Sequence, residues 1–276
     1  MRKNTIFLLS SAALAAPVLG ILIARARAAH RLRRDVAQLF RQAADGGGQV
    51  YHEAQLAGLP APVQRYFRHV LREGQPYLRG LRLRHGGHFK TDLAKDWLAI
   101  AGEQYFTADP VAFIWQGTTS WFVVRDEYVA GRGSLTVRLL GAVPIVRGAG
   151  PHYDLGELQR WLSESLWLPT NLLPSERVAW TALNDQSARL TLTLAGLTVT
   201  FDVRFNDRDE IEECETQRYF GDAQLLPWVG RFRCYQVRHG VLIPTEAEAS
   251  WVVDGQRRPY ARFVVQEFDY DDLRPF

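Results

Sequence analysis

From Leu78 onward the chain alternates apolar and polar residues with a period of two, and this pattern commits most of it to β-sheet. The clearest stretch is a hairpin. Leu190, Leu192 and Leu194 alternate with Thr191 and Thr193. After a turn at Ala195-Gly196, Leu197, Val199, Phe201, Val203 and Phe205 alternate with Thr198, Thr200, Asp202 and Arg204. Such alternation means one buried face and one wet face, as in antiparallel sheets. Residues 97–108, 111–116, 120–130 and 134–140 read as strands, as do roughly 210–219, 230–239, 245–253 and 260–270. The spacing predicts ten to twelve strands. A regular strand–helix alternation, which a parallel sheet needs, is missing. The expected fold class is therefore mainly β (β-rich α+β). It is a large curved antiparallel sheet or half-barrel with a few covering helices and an N-terminal transmembrane helix.

Three other segments have helical spacing. His30 to Ala44 carries Leu32, Val36, Leu39, Phe40 and Ala43 on one side, and Gly46-Gly47-Gly48 ends it. Val63, Tyr66, Phe67, Val70 and Leu71 form a stripe behind Pro60 or Pro62, with Gly74 as the stop. In the third, Asp154 with Glu157 suggests a capping box, and Leu155, Leu158, Trp161, Leu162 and Leu166 form the apolar face. Glu157, Arg160 and Glu164 fall on the polar side, where Arg160 and Glu164 are spaced for an i, i+4 ion pair.

The N-terminus adds a tether. Ile6 to Ala24 is an uncharged run, and a helix of about 20 apolar residues crosses a bilayer. The expected organisation is a membrane anchor and basic juxtamembrane helix over 1–44, then a single β-rich domain over 45–276. The expected localisation is the bacterial cell membrane, single-pass, with the main domain leaning extracytoplasmic. A cleaved secretory signal is the alternative reading of the same run. The chain has 33 basic and 30 acidic side chains, yet residues 1–34 hold seven basic and no acidic ones. The remainder is net acidic, which excludes nucleic acid as a partner of the main domain. The expected partners are the lipid bilayer and a hydrophobic ligand, with protein partners left open.

Reactive motifs are missing. The chain has no G-x-S-x-G, H-E-x-x-H, P-loop or C-x-x-C pattern. His85-Gly86-Gly87-His88 reads as a bend or bulge in a strand before it reads as a metal site. Glu212 and Glu213, as strand neighbours, are expected on opposite faces. Cys214 and Cys234 sit on neighbouring strands and are either a disulfide or two small buried residues. No catalytic residue, metal or cofactor is therefore expected.

Three stretches carry a resemblance. They are Leu59-Pro60-Ala61-Pro62-Val63-Gln64-Arg65-Tyr66; Arg160 to Thr170 with Leu173-Pro174 and Val178-Ala179-Trp180; and Trp228-Val229-Gly230 with Ile243-Pro244-Thr245, Trp251 and Pro259-Tyr260. Together they resemble an uncharacterised bacterial membrane-anchored family with a domain of unknown function, over roughly residues 55–272. That family is similar in architecture to the Lol-type lipoprotein carriers, whose curved half-barrel holds acyl chains under short helices. The resemblance implies no catalytic residues.

Strands within 97–130 are apolar on both faces, as a sheet curled around an apolar interior would be. The expected function is a membrane-anchored, non-catalytic binding or carrier domain for a lipid or other hydrophobic molecule. Trp115, Trp161, Glu164 and Trp167 are its expected ligand contacts, with a helical lid around Trp161–Pro169. The rival readings are an interaction domain with a filled core and an enzyme with an unrecognised site.

Overall fold

The computed structural model describes residues 3–43, 48–221 and 224–276, with side chains from residue 19 onward. Its long first helix α1 (Lys3–Gln42) is followed by α2 (Ala61–Val70). Six strands come next: β1 (Gly80–Phe89), β2 (Leu98–Thr107), β3 (Ala112–Thr118), β4 (Phe122–Val129), β5 (Arg132–Leu139) and β6 (Val143–Ala149). Helix α3 (Pro151–Glu164) and two short 3-10 turns lead to β7 (Val178–Asn184), β8 (Ser187–Leu194) and β9 (Leu197–Phe205). The chain finishes with β10 (Ile211–Phe220), β11 (Gln224–Arg238), β12 (Val241–Val253) and β13 (Gln256–Tyr270).

All thirteen described strands form one sheet, in the order β6-β5-β4-β3-β2-β1-β13-β12-β11-β10-β9-β8-β7. Two meanders are thus joined at the centre by the antiparallel pairing of β1 with β13. The chain leaves the centre, reaches one edge at β6, crosses to the opposite edge at β7, and meanders back. That crossing is made by α3.

The crossing shows that the sheet curls. Asp154 accepts a hydrogen bond from the Gly133 amide of β5 at 2.8 Å. Two residues on, the Gly156 carbonyl accepts one from Arg218 of β10 at 2.9 Å. In a flat sheet β5 and β10 would lie eight strand spacings apart, about 38 Å. One helix, about 10 Å across, touches both. Sheets of more than about ten strands curl in this way rather than stay open and flat. The concave side holds the core, with Leu83, Phe106, Phe113, Phe201 and Phe205 buried against α2, α3 and the turns after it. Trp180 and Tyr66 pack on Phe205 at one end, with ring centroids 6.3 and 5.8 Å away.

Local details follow the sequence closely. Ala195 and Gly196 take φ of 50° and 82°, the left-handed pair that a two-residue hairpin requires. The pairing of β1 with β13 shifts register between Arg84 and His85, the irregularity expected from the glycines that follow. Helix α3 begins earlier than expected. Pro151 takes its first position, and Asp154 bonds to β5 instead of capping the helix. Strand β6 was not expected, because Pro144 breaks its pattern; as an edge strand it tolerates the missing donor. Glu212 and Glu213 do not simply face opposite ways. The shift between Ile211 and Glu213 brings both within reach of Arg204, at 2.6 and 2.8 Å. The cysteines are free: Cys214 pairs with Gly230, out of step with exposed Cys234.

The outer face explains the strands that are apolar on both sides. Leu32, Val36, Leu39 and Phe40 of α1 pack on Tyr105, Ala112 and Ile114 of β2 and β3. Asp35 pairs with Arg125 at 2.9 Å. Among the described residues, no helix is long and apolar enough to cross a membrane. This corrects the expected single-pass membrane localisation, with its orientation, and the transmembrane assignment of the first helix. From Leu19 on, α1 carries Arg25, Arg27, Arg31, Arg33 and Arg34, and its apolar side is spent on the sheet. Most side chains of the Ile6–Ala24 run, and the domain boundary between 44 and 45, lie outside the described residues.

Candidate functional site

The site begins with small residues placed side by side. Gly230 of β11 pairs with Ala249 of β12, and Ala249 pairs with Ala261 of β13. Two residues along on the same face, Phe232 pairs with Ala247, and Ala247 with Phe263. Elsewhere the concave face carries Leu, Phe or Trp at such positions, and those side chains meet the helices. Here a floor made by the methyl groups of Ala247, Ala249 and Ala261 leaves space, while the room at Gly230 is taken by the Trp228 ring, which a Cβ there would meet at 3.0 Å. A cavity of about 250 Å³ lies between this floor and α3, lined also by Phe89, Val124, Leu135, Trp228 and Tyr260.

Its other wall is the charged side of α3. Glu157, Arg160 and Glu164 all line the cavity, joined by Asp126 of β4 and Arg218 of β10. Arg160 donates to Glu164 Oε1 at 3.0 Å and to Asp126 Oδ2 at 2.5 Å. Its guanidinium lies 4.7 Å from the Trp115 ring centroid. Glu164 Oε2 accepts from Gln104 at 2.5 Å. The side chains of Arg160 and Glu164 are only 12% and 15% exposed. The expected helical pair is therefore present, but it lies inside the molecule. Burial, with Asp126 beside it, pushes Glu157 up to about 8, against the pull of Arg160 and Arg218. Burial raises Asp126 as well. Asp126 Oδ1 and Glu157 Oε2 have no hydrogen-bond partner among the described residues.

The aromatic residues are fixed rather than mobile. Trp115 donates its indole N–H to His85 Nε2 at 2.8 Å. Burial pushes His85 down to about 4, so it is a neutral acceptor that locks the Trp115 ring. Gly102 is obligatory beside it, because a Cβ there would meet His85 Nε2 at 2.1 Å. Trp167 donates to the Pro244 carbonyl at 2.9 Å, and its own carbonyl accepts from Tyr270 at 2.7 Å.

Of the four residues expected as ligand contacts, Trp115, Glu164 and Trp167 line one cavity. Trp161 does not. It lies on another side of α3, 2% exposed, donating to the Thr107 carbonyl at 3.2 Å. The segment expected as a lid is core: Leu162, Ser165 and Leu168 are all fully buried. Sequence reasoning missed Asp126, Arg218 and the small-residue floor, and assigned Glu157 and Arg160 to a solvated face. No local signal marked the last pair: Leu155, Leu158, Trp161 and Leu162 cover only about a third of the circumference of α3, as on a helix with one solvated side.

No protein of curated function matches the chain. Among solved structures it is similar to a domain assigned to an outer membrane lipoprotein-sorting protein from Vibrio parahaemolyticus. The two share 8% identity over 76% of this chain and 91% of that one, with a TM-score of 0.41. It is also similar to a LolA superfamily protein from Nitrosomonas europaea, at 10% identity over 77% of this chain and 93% of that one, with a TM-score of 0.35. The family of unknown function DUF6544 matches residues 49–263, and the chain belongs to that family.

Proposed function

We propose that the protein binds one small hydrophobic molecule or a single acyl chain, without chemistry, in the cavity between α3 and the floor of Ala247, Ala249 and Ala261. The observation that carries this reading is the floor itself. The in-register pair Ala249 and Ala261, with Ala247 beside them, leaves a partly open cavity of about 250 Å³ on the concave face. A dry apolar cavity of about 150 Å³ already accepts benzene. Each buried methylene would contribute about 0.8 kcal/mol. The volume supports a single chain, and a cluster of several acyl chains would require the sheet to open.

In this reading Trp115, Trp167 and Glu164 face the ligand, and Trp161 supports the wall from behind. Residues 45–276 work as one domain, with the second half of α1 bolted to its outer face. Access runs along the sheet side near Phe89 and Tyr260, since the Trp161–Pro169 segment is pinned by its indole hydrogen bonds. The rival interaction domain calls for a filled core at the place where the cavity lies.

Native mass spectrometry of the full chain, purified without detergent, tests the reading together with Ala249→Phe. That substitution puts a ring into the cavity. The expected result is a lipid-sized adduct on the wild type and none on the variant, with both folded by circular dichroism. The same adduct on both proteins would move the site elsewhere. Adduct-free wild type that also takes up no added octan-1-ol would transfer the case to the interaction domain.

A further inference from the structure

The charged wall of the cavity is short of hydrogen-bond donors. Asp126, Glu157 and Glu164 supply three carboxyl groups, and Arg160 and Arg218 supply two guanidiniums. Both guanidiniums are already engaged. Arg160 is shared between Asp126 and Glu164 and lies over Trp115. Arg218 holds the Gly156 carbonyl and lies over Trp228 at 5.1 Å. Glu248, the remaining acid of the lining, is neutralised by Arg262 at 2.7 Å. The two polar atoms of this wall left without a partner among the described residues are both carboxyl oxygens, Asp126 Oδ1 and Glu157 Oε2. A ligand that supplies the missing donor is favoured here, because a buried carboxyl oxygen without a partner is destabilising.

Building on the hydrophobe-binding reading, we propose that the cavity selects amphiphiles with a primary amine at one end, held by Asp126 and Glu157, with the chain over the floor of Ala247, Ala249 and Ala261. An ammonium offers three donors, and once Glu157 gives up its proton the ammonium charge balances three carboxylates against two guanidiniums. A fatty acid would instead add a fourth carboxylate beside Asp126 and Glu157. Glu157 is faced by Asp126 from β4, by Arg218 from β10, and by Arg160 and Glu164 from α3. When empty it keeps a proton at neutral pH. Binding the ammonium forms an ion pair with the Glu157 carboxylate, and that proton leaves to solvent.

The test is a calorimetric titration of the full chain with octylamine, octan-1-ol and octanoate at pH 7. The amine is expected to bind about tenfold more tightly than the alcohol, the value of one charge-assisted hydrogen bond, and octanoate more weakly than either. Titrations in two buffers of different ionisation enthalpy should show proton release with the amine and none with the alcohol. Glu157→Gln should remove the proton release and reduce the amine preference over the alcohol to less than twofold. Tightest binding of octanoate would overturn the proposal and make the guanidiniums the head-group site. Equal binding of all three would overturn it too, while leaving the hydrophobe reading in place. Failure of all three to bind, with the wild type folded, would sink that underlying reading instead.

Discussion

Two arginine–carboxylate clusters sit on opposite faces of the same sheet, and they behave in opposite ways. On the outer face, Glu213 meets Arg204, Arg231 and Arg257. Burial alone would raise its carboxyl, but the hydrogen bonds from Arg257, Arg204 and Arg231 outweigh that and hold it at about 2. On the inner face, two guanidiniums serve three carboxyls in an enclosed space, and Glu157 stands at about 8. The residue types are the same. What differs is the ratio of donors to acceptors and the exposure of the arginines: both glutamates are 7% exposed, but Arg204, Arg231 and Arg257 reach solvent and Arg160 does not. A buried carboxyl held by several arginines that reach solvent is a structural tie. One with too few cations inside a cavity is a vacancy for a ligand group or a store for a proton.

The largest expected contrast between the clusters is in stability. Arg160→Met strips Asp126 and Glu164 of their shared partner inside the protein, and should cost about 3–5 kcal/mol. Arg257→Met leaves Glu213 with two other arginines near water, and should cost about 1 kcal/mol or less. Urea denaturation measures both. Equal losses would break the comparison.

The next contrast is in the direction of pH dependence. The folded-state value of Glu157 lies above the ordinary 4.5, so its contribution to stability is complete below 4.5 and is lost as pH rises through about 8. Glu213 lies below 4.5, so its contribution is complete above 4.5 and is lost as pH falls through about 2. Glu157→Gln should therefore gain on the wild type steadily between pH 4.5 and 8. The deficit of Glu213→Gln should shrink only below pH 4.5. A Glu157→Gln curve parallel to the wild type across pH 4.5–8 would show that the inner cluster holds no extra proton.

The smallest effect uses the two thiols. Cys214 follows Glu213 on β10 but points inward, 2% exposed, and burial raises its thiol. Cys234 is exposed. A thiol reagent should modify Cys234 alone in the native protein, and Cys214 only after unfolding. Rapid modification of both would mean that the inner face opens readily and that its enclosure is overstated.

Much of the fold was legible. Period-two alternation located nearly every strand, because each strand's own side chains record which face is buried. Strands β6 and β7 escaped, β6 because Pro144 interrupts its pattern and β7 because only Val178 and Trp180 of it are buried, and the double apolarity of β2 and β3 was read as an apolar interior alone. Its outer half is the seat of α1, which a local pattern cannot name. The site was legible in part. The Trp115, Glu164 and Trp167 positions meet in space, whereas Trp161 looked equivalent to them and is not. Its helical phase relative to Glu164 differs, and only the helix's orientation in the sheet reveals which phase faces the cavity.

The sequence by itself determined the antiparallel meanders, the helix that interrupts them and the Arg160–Glu164 pair, since all three depend on neighbours a few residues apart. The tertiary structure decided that the pair would be buried, that Asp126 would join it from β4, and that Ala247, Ala249 and Ala261 would come together as a floor. The physical reason is the edge-to-edge crossing. A helix carried from β6 to β7 across a curled sheet has protein on both sides, so its polar strip is enclosed where the local pattern would have left it in water.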